Sequence, residues 1–245
     1  MTQPTSLALI TGASGGIGNA IAQRLSKDGV TVILNYATNK TAAEEVAQEI
    51  QFNGGHAFLH QADVSDPHAM AQMFDDIEQQ HGPIDILVNS AGIMHLAPLA
   101  EVDDEALSRQ IAINLNGTVY GLREAAKRMP SGGRIINLST SVVGLNLEGY
   151  GVYAATKAAV ESLTRIGANE FRGRSVTVNA IAPGPTATEL FLKGKSEAQI
   201  ARLANMAPME RLGTPEDIAS IVAFLCGPEG QWVNGQVLRV NGGLV

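Results

Sequence analysis

Short apolar runs alternate along the chain with longer segments in which apolar residues recur at helical spacing. The short runs cover residues 7–11, 30–35, 57–61, 84–89, 134–138, 176–181 and 237–240. Several are apolar at consecutive positions, the pattern of strands buried on both faces of a parallel sheet. The segments between them, 18–27, 41–52, 67–80, 104–129, 151–171 and 215–226, predict helices. Asp66-Pro67 and Thr214-Pro215 read as an N-cap followed by proline at the first helical position, and Gly29, Gly54-Gly55 and Gly82 as stops. Strand–helix alternation from end to end predicts an α/β fold, a doubly wound parallel sheet with helices on both faces, as a single domain over residues 1–245. The one long irregular stretch, 182–195, precedes a short helix near 196–205 and is a candidate lid.

Composition narrows the classes. A chain of 245 residues is long enough for a large core, and 45% hydrophobic with 17% charged residues excludes a disordered chain. The formal charge is −7 with no block of Lys or Arg, which argues against nucleic-acid binding. The single cysteine, Cys226, allows no intrachain disulfide and suits a reducing cytoplasm. No apolar run approaches the roughly 18–20 residues of a membrane helix, and residues 1–6 lack the apolar stretch of a signal peptide. The five histidines are scattered, so no metal site is expected.

Candidate chemistry starts at the end of the first strand, in Thr11-Gly12-Ala13-Ser14-Gly15-Gly16-Ile17-Gly18. Gly12, Gly16 and Gly18 stand between a strand and an amphipathic helix, where residues without a Cβ let backbone approach a pyrophosphate at a helix N-terminus. That context predicts a Rossmann-type dinucleotide site. The second strand ends Asn35-Tyr36-Ala37-Thr38-Asn39-Lys40, without the acidic residue that binds the ribose 2′-hydroxyl of NAD. Asn35, Thr38 and Asn39 can donate hydrogen bonds and Lys40 can add charge near a 2′-phosphate, so NADP (NADPH) is expected over NAD. Asp63, beside Val64, is placed to accept from an adenine amino group, or to serve as a turn or cap residue. Asn89-Ser90-Ala91-Gly92 follows the fourth strand, where small residues permit close approach to a cofactor or form an ordinary turn.

Tyr153 and Lys157 lie four residues apart in a helical segment, on one face. An ammonium near a phenol lowers its pKa from the reference of about 10, which suits it to exchange protons with a carbonyl or alcohol oxygen. The same spacing also describes a pair on a solvated face.

Taken in order, the loop at 11–18, Asp63, Asn89 to Gly92, Asn114, the strand end at 134–140, Tyr153/Lys157, Pro183-Gly184 and the tail Asn234-Gly235-Gln236 to Asn241-Gly242-Gly243 resemble a classical short-chain dehydrogenase/reductase over nearly the whole chain. Members resembled include 3-oxoacyl-carrier-protein reductases and NADPH-dependent aldehyde/ketone reductases. The resemblance implies Tyr153 as proton donor or acceptor. Lys157 would tune it and bind the nicotinamide ribose, and Asn114 would hold a relay water. It also implies an active-site hydroxyl. Counting back from Tyr153 reaches Thr140, and counting back from Gly144 reaches Ser141; Ser141 is favoured, since the family uses serine and strand ends often bulge beside active sites. Pro183, Gly184 and either Thr186 or Thr188 would touch the nicotinamide carboxamide. The cofactor set is then Gly12, Ser14, Gly16, Ile17, Gly18, Asn35, Tyr36, Asp63, Val64, Asn89, Ala91, Gly92, Tyr153, Lys157, Pro183, Gly184, Thr186 and Thr188. The implied substrate is a small carbonyl or alcohol compound, and the implied assembly a homo-oligomer, a tetramer or dimer. Rival readings are a non-catalytic NADP-binding regulator and an NAD-linked alcohol, sugar or steroid dehydrogenase.

Overall fold

The computed structural model describes residues 6–245; the polar lead-in at 1–5 lies outside the described residues. Seven strands form one sheet: β1 (Leu7–Ile10), β2 (Thr31–Tyr36), β3 (Ala57–Gln61), β4 (Ile86–Asn89), β5 (Arg134–Leu138), β6 (Thr177–Pro183) and β7 (Val237–Val240). All pairings are parallel and the order is β3-β2-β1-β4-β5-β6-β7. The order reverses between β1 and β4, and in open α/β sheets ligands bind beyond the strand C-termini at such a switch point.

Side chains along a strand point to opposite faces in turn, and β1 shows why its run had to be continuously apolar. Ala8 and Ile10 enter a core with Ile21 and Leu25 of α1 (Gly16–Lys27) and Ile218 and Val222 of α10 (Pro215–Cys226). Leu7 and Leu9 enter the opposite core, against Met70, Phe74 and Ile77 of α3 (Pro67–His81). The helix starts behave as the sequence predicts. Asp66 accepts from the backbone N–H groups of His68 and Ala69, and Thr214 forms a reciprocal cap with Asp217. Asn39 caps α2 (Lys40–Phe52) in the same way.

The predicted helix over 104–129 is interrupted. It comprises α4 (Asp104–Ile111), a π-helical segment Ala112–Asn116 and α5 (Gly117–Arg128). The wider turn carries Asn114, which is fully buried, and such insertions often mark functional sites. The irregular stretch at 182–195 is more ordered than expected: β6 continues to Pro183, and α8 (Glu189–Leu192) and α9 (Glu197–Ala204) follow. The remaining helices are α6 (Val142–Leu145) and α7 (Gly151–Glu170), which packs along β6. Among the described residues, no helix is long and apolar enough to cross a membrane.

Beneath the strand ends, a buried polar chain ties the layers together. Asn89 Nδ2 donates to Asn137 Oδ1 at 2.9 Å, Asn137 Nδ2 to Thr164 Oγ1 at 3.0 Å, and Thr164 Oγ1 to the Val160 carbonyl at 2.8 Å. Asn137→Ala strips a partner from both Asn89 and Thr164 in a dry environment. The expected loss is about 2–4 kcal/mol, seen in thermal denaturation as a fall in Tm on the order of 10 °C.

Candidate active site

A cleft of about 540 Å³ opens over the strand C-termini, lined by Gly12, Ser14, Gly16, Ile17, Gly18, Tyr36, Val64, Ala91 and Gly92 at one end and by Thr140, Tyr153, Lys157, Pro183 and Gly184 at the other. Two glycines set its floor. Gly12 has φ +66°, and a Cβ there would stand 2.8 Å from the Ala91 Cα; a Cβ on Gly18 would stand 2.5 Å from the Gly12 carbonyl oxygen. The loop, α1 and the end of β4 therefore meet backbone to backbone. The N-cap of α1 is Gly15, and no side chain bonds the first-turn amides. Uncapped N–H groups at the positive end of a helix dipole suit a phosphate.

The far end differs from expectation in several places. Asn35 is buried and turned inward. Its Oδ1 accepts from Gly12 N at 3.4 Å, and its Nδ2 donates to the carbonyls of His60 and Ala62 at 3.3 and 3.0 Å. It braces the glycine loop and has no hydrogen left for a 2′-phosphate. Asn39 Oδ1 accepts at the α2 cap, which leaves its amide hydrogens to donate, and Lys40 faces Glu44 at 3.4 Å on the surface; Thr38 and Asn39 are the donors that this stretch presents to the cleft. Asp63 lies in the cleft, and both of its oxygens are engaged. Oδ1 accepts from Ser65 N and Oγ at 2.9 and 2.6 Å, and Oδ2 from Arg109 Nη2 at 3.0 Å. These hydrogen bonds and the Arg109 charge hold its carboxyl below the usual range against burial, the largest influence, which acts the other way. Arg109, on α4, lines the cleft and was not foreseen; nothing in its local sequence separates it from a surface arginine. Asn89 does not line the cleft: it sits one step behind, in the Asn137 chain.

At the other end, Lys157 is buried and its ammonium donates to the Leu138 carbonyl at 2.8 Å. Asn114 clamps the loop after β4 from both sides. Its Oδ1 accepts from Ile93 N at 2.8 Å, and its Nδ2 donates to Ile93 O at 2.9 Å. A Cβ on Gly92 would stand 3.3 Å from Asn114 Oδ1 and 3.5 Å from Lys157 Nζ, so these two groups converge on that glycine. Thr140 and Ser141 separate cleanly. Ser141 Oγ donates to the Ala182 carbonyl at 2.9 Å and accepts from Asn241 Nδ2 at 2.9 Å. Thr140 Oγ1 accepts from Val142 N at 3.3 Å, and its hydroxyl lies near enough to the Tyr153 phenol to lower that group's pKa. Thr186 Oγ1 donates to the Gly184 carbonyl at 2.9 Å, and Thr188 Oγ1 accepts from Phe191 N at 3.2 Å as the cap of α8, with its methyl against Gly16.

Burial pushes the Tyr153 phenol up to about 12, with Thr140 opposing and the neighbouring Tyr150 adding a little. Burial pushes the Lys157 ammonium down to about 8. The influences acting on Tyr153 are burial, Thr140 and Tyr150, and the direct lowering by Lys157 expected from sequence is not among them. The Lys157 shift fixes a sign. Below pH 8 folded and unfolded chains both carry the proton and folding pays the full desolvation, of about 3 kcal/mol. Between about 8 and 10.5 the folded state loses its proton first, and the penalty disappears. Lys157→Met is therefore expected to be more stable than the parent at pH 7 and to lose that advantage by pH 10.5, as measured by denaturant titration across this range.

A family model described as enoyl-(acyl carrier protein) reductase matches residues 12–245. A short-chain type dehydrogenase/reductase of Picea abies is 47% identical, covering 98% of this chain and 92% of its own length. An NADPH-dependent aldehyde reductase-like chloroplastic protein of Arabidopsis thaliana is 40% identical, covering 98% and 94%. Among solved structures, a short-chain dehydrogenase of Burkholderia cenocepacia in complex with NADP superposes with a TM-score of 0.93 at 33% identity, covering 99% of this chain and 98% of that one. A blue fluorescent protein from a metagenomic library in complex with NADPH superposes with a TM-score of 0.92 at 35% identity, covering 98% of each. A match over almost the whole length, on a sheet and cleft of this construction, places the chain in the short-chain dehydrogenase/reductase family of oxidoreductases.

Proposed function

We propose that the protein is an NADP(H)-dependent reductase that converts a carbonyl group to an alcohol, and the reverse, with Tyr153 as its acid/base. The observation that carries this reading is the meeting of Thr140, Tyr153 and the buried Lys157 in one cleft, with Thr140 near enough to act on the Tyr153 phenol. Bound there, a nicotinamide cofactor supplies the hydride. The uncapped first turn of α1 and the Gly12 cradle fit its pyrophosphate. The end of β2 presents no carboxylate to a ribose 2′-position, and Thr38 is free to meet a 2′-phosphate there. The Arabidopsis relative's name and the NADP complexes of the structural neighbours point the same way.

The protein's own steps follow from placement. Tyr153 donates its phenolic proton to the substrate oxygen as negative charge develops on it. Thr140 donates a second hydrogen bond to the same oxygen: its Oγ1 accepts from Val142 N at 3.3 Å, and its O–H, which otherwise serves the Tyr153 oxygen, turns to the substrate. Lys157, between Leu138 and the Gly92–Asn114 corner, holds the proton that restores Tyr153. We assign the active-site hydroxyl to Thr140 and a bracing role to Ser141, reversing the preference drawn from sequence.

Tyr153→Phe is expected to lower carbonyl reduction by about 10²–10⁴-fold while NADPH fluorescence titration still reports binding; turnover near the parent's would end the acid/base assignment. Thr140→Ala should lower kcat by more than Ser141→Ala, and Thr140→Ser should recover most of it. Initial rates should favour NADPH over NADH in kcat/KM.

We also propose a homo-oligomer. Trp232 is 98% exposed, with Ile166 of α7 and Phe224 of α10 also open to solvent, and the Gly235 backbone adjoins Ala168 of α7. These are large apolar groups for a solitary molecule to leave in water. Trp232 is the only tryptophan, so its emission reports the assembly directly. Trp232→Glu should give a smaller species in light scattering, and dilution of the parent should shift its emission to the red as the assembly separates.

A further inference from the structure

Arg109 has no part in the proton chemistry, yet it holds a definite place in the cleft. It reaches from α4 to the turn after β3, where its Nη1 donates to Ser65 Oγ at 3.1 Å and its Nη2 to Asp63 Oδ2 at 3.0 Å. The Arg109 and Asp63 side chains are 51% and 39% exposed, and an ion pair so open to water contributes little to stability. The turn does not depend on it. Asn35 Nδ2 holds the Ala62 carbonyl at 3.0 Å, Ala62 N donates to Tyr36 O at 3.0 Å, and Asp66 N donates to Asp63 O at 3.0 Å. A Cβ on Gly117 would stand 2.9 Å from the Val64 side chain, so α5 closes on the same turn. These contacts fix the backbone, and what Arg109 adds is the direction of one carboxylate.

That direction leaves a single acceptor site open. An ionised carboxylate offers about four lone-pair sites. Ser65 N and Oγ take two on Oδ1, and Arg109 takes one on Oδ2. One site on Oδ2 remains, on a residue that lines the cleft beside Ala62, Val64 and Ile113. The Ser65 bonds hold only Oδ1, and the carboxyl can still turn about it. The planar guanidinium, bound to Ser65 and Asp63 together, fixes Oδ2 as well. A carboxylate fixed in this way accepts from an N–H and repels a carbonyl oxygen set in the same place. Adenine carries an amino group at its position 6, and hypoxanthine carries an oxygen there.

We propose that Arg109 is a positioning residue for the cofactor's base: by fixing Asp63 it makes the site select a purine with an amino group at position 6 over one with an oxygen. The inference rests on the NADP(H) reading above, and on Asp63 as the acceptor for the adenine amino group, and adds Arg109 to both.

The test compares NADPH with its deamino analogue, in which hypoxanthine replaces adenine, by titration of the dihydronicotinamide fluorescence of each. The parent is expected to bind NADPH about tenfold or more tightly than the analogue, the worth of a hydrogen bond to a charged group. Arg109→Ala, at a half-exposed position, should weaken NADPH more than the analogue and cut that ratio by about threefold or more. In the Asp63→Asn background, Arg109→Ala should leave the ratio as it stands, since the two residues act through one contact. Equal binding of the two dinucleotides by the parent overturns the inference. So does an equal loss of both on Arg109→Ala, which would make the arginine a plain counter-charge for phosphate, and so does an effect of Arg109→Ala on the ratio that survives Asp63→Asn. All three results leave the reductase reading standing. If the parent binds neither dinucleotide, the NADP(H) reading falls and takes the inference with it.

Discussion

Lys157 carries its ammonium beneath the surface at the wall of the cleft, and the surrounding structure is arranged to receive it. The last carbonyl of β5, Leu138, takes one of its hydrogens. Gly92 supplies no side chain, and that gap is what allows Asn114 and the ammonium to approach the same point. Ser139, one residue beyond Leu138, donates to Glu161 at 2.8 Å and to the Lys157 carbonyl at 3.4 Å, so the helix that bears the lysine is pinned to the strand that receives it. A buried cation opposes folding unless it is met by well-placed acceptors. Here β4, β5, the π-helical turn and α7 each contribute to its enclosure.

The two titratable groups of the centre are displaced in opposite directions by one cause. Dehydration disfavours charge whatever its sign, so the phenol becomes a weaker acid and the ammonium a stronger one. Their acidities therefore lie on the far side of each other from the arrangement that a simple cation–phenol pair implies. A protonated Tyr153 is the form needed to donate to a carbonyl, and the protein alone holds it in that form. Lys157, at about 8, can give up or regain a proton near working pH, which is what a group restoring Tyr153 must do. Cys226 is pushed up to about 12 by the same effect and stays a packing residue.

The sheet was legible because its strands are buried on both sides and so write continuous apolar runs; β1 divides its four residues between two cores. The glycine loop was legible because close backbone approach excludes every other residue, as at Gly12 and Gly18. What escaped depends on direction rather than residue type. Asn35 and Asn89 have the polarity of ligand contacts, and their side chains turn inward, Asn35 to backbone carbonyls and Asn89 to Asn137. Asn114 was found by its place in the motif order, but the widened turn that buries it has no periodic signature in a helix otherwise regular on either side. Arg109 reaches Asp63 across 46 positions of sequence, a pairing that only the fold creates.

The choice between Thr140 and Ser141 shows how far counting goes and where stereochemistry takes over. Neighbouring residues of an extended strand face opposite ways, so one hydroxyl at most meets the cleft unless the backbone bulges. No bulge is needed: by Ser141 the chain has already turned to helical angles, φ −64° and ψ −16°, at the start of α6. Its hydroxyl hydrogen goes to Ala182, and its lone pair receives Asn241, so it fastens β5 to the ends of β6 and β7. On the proposed assignment Thr140 accepts from the backbone at Val142 and has its O–H to offer a substrate oxygen. The bracing hydroxyl and the one proposed to react are adjacent for a physical reason: fastening the strand end through Ser141 fixes the direction of the residue before it.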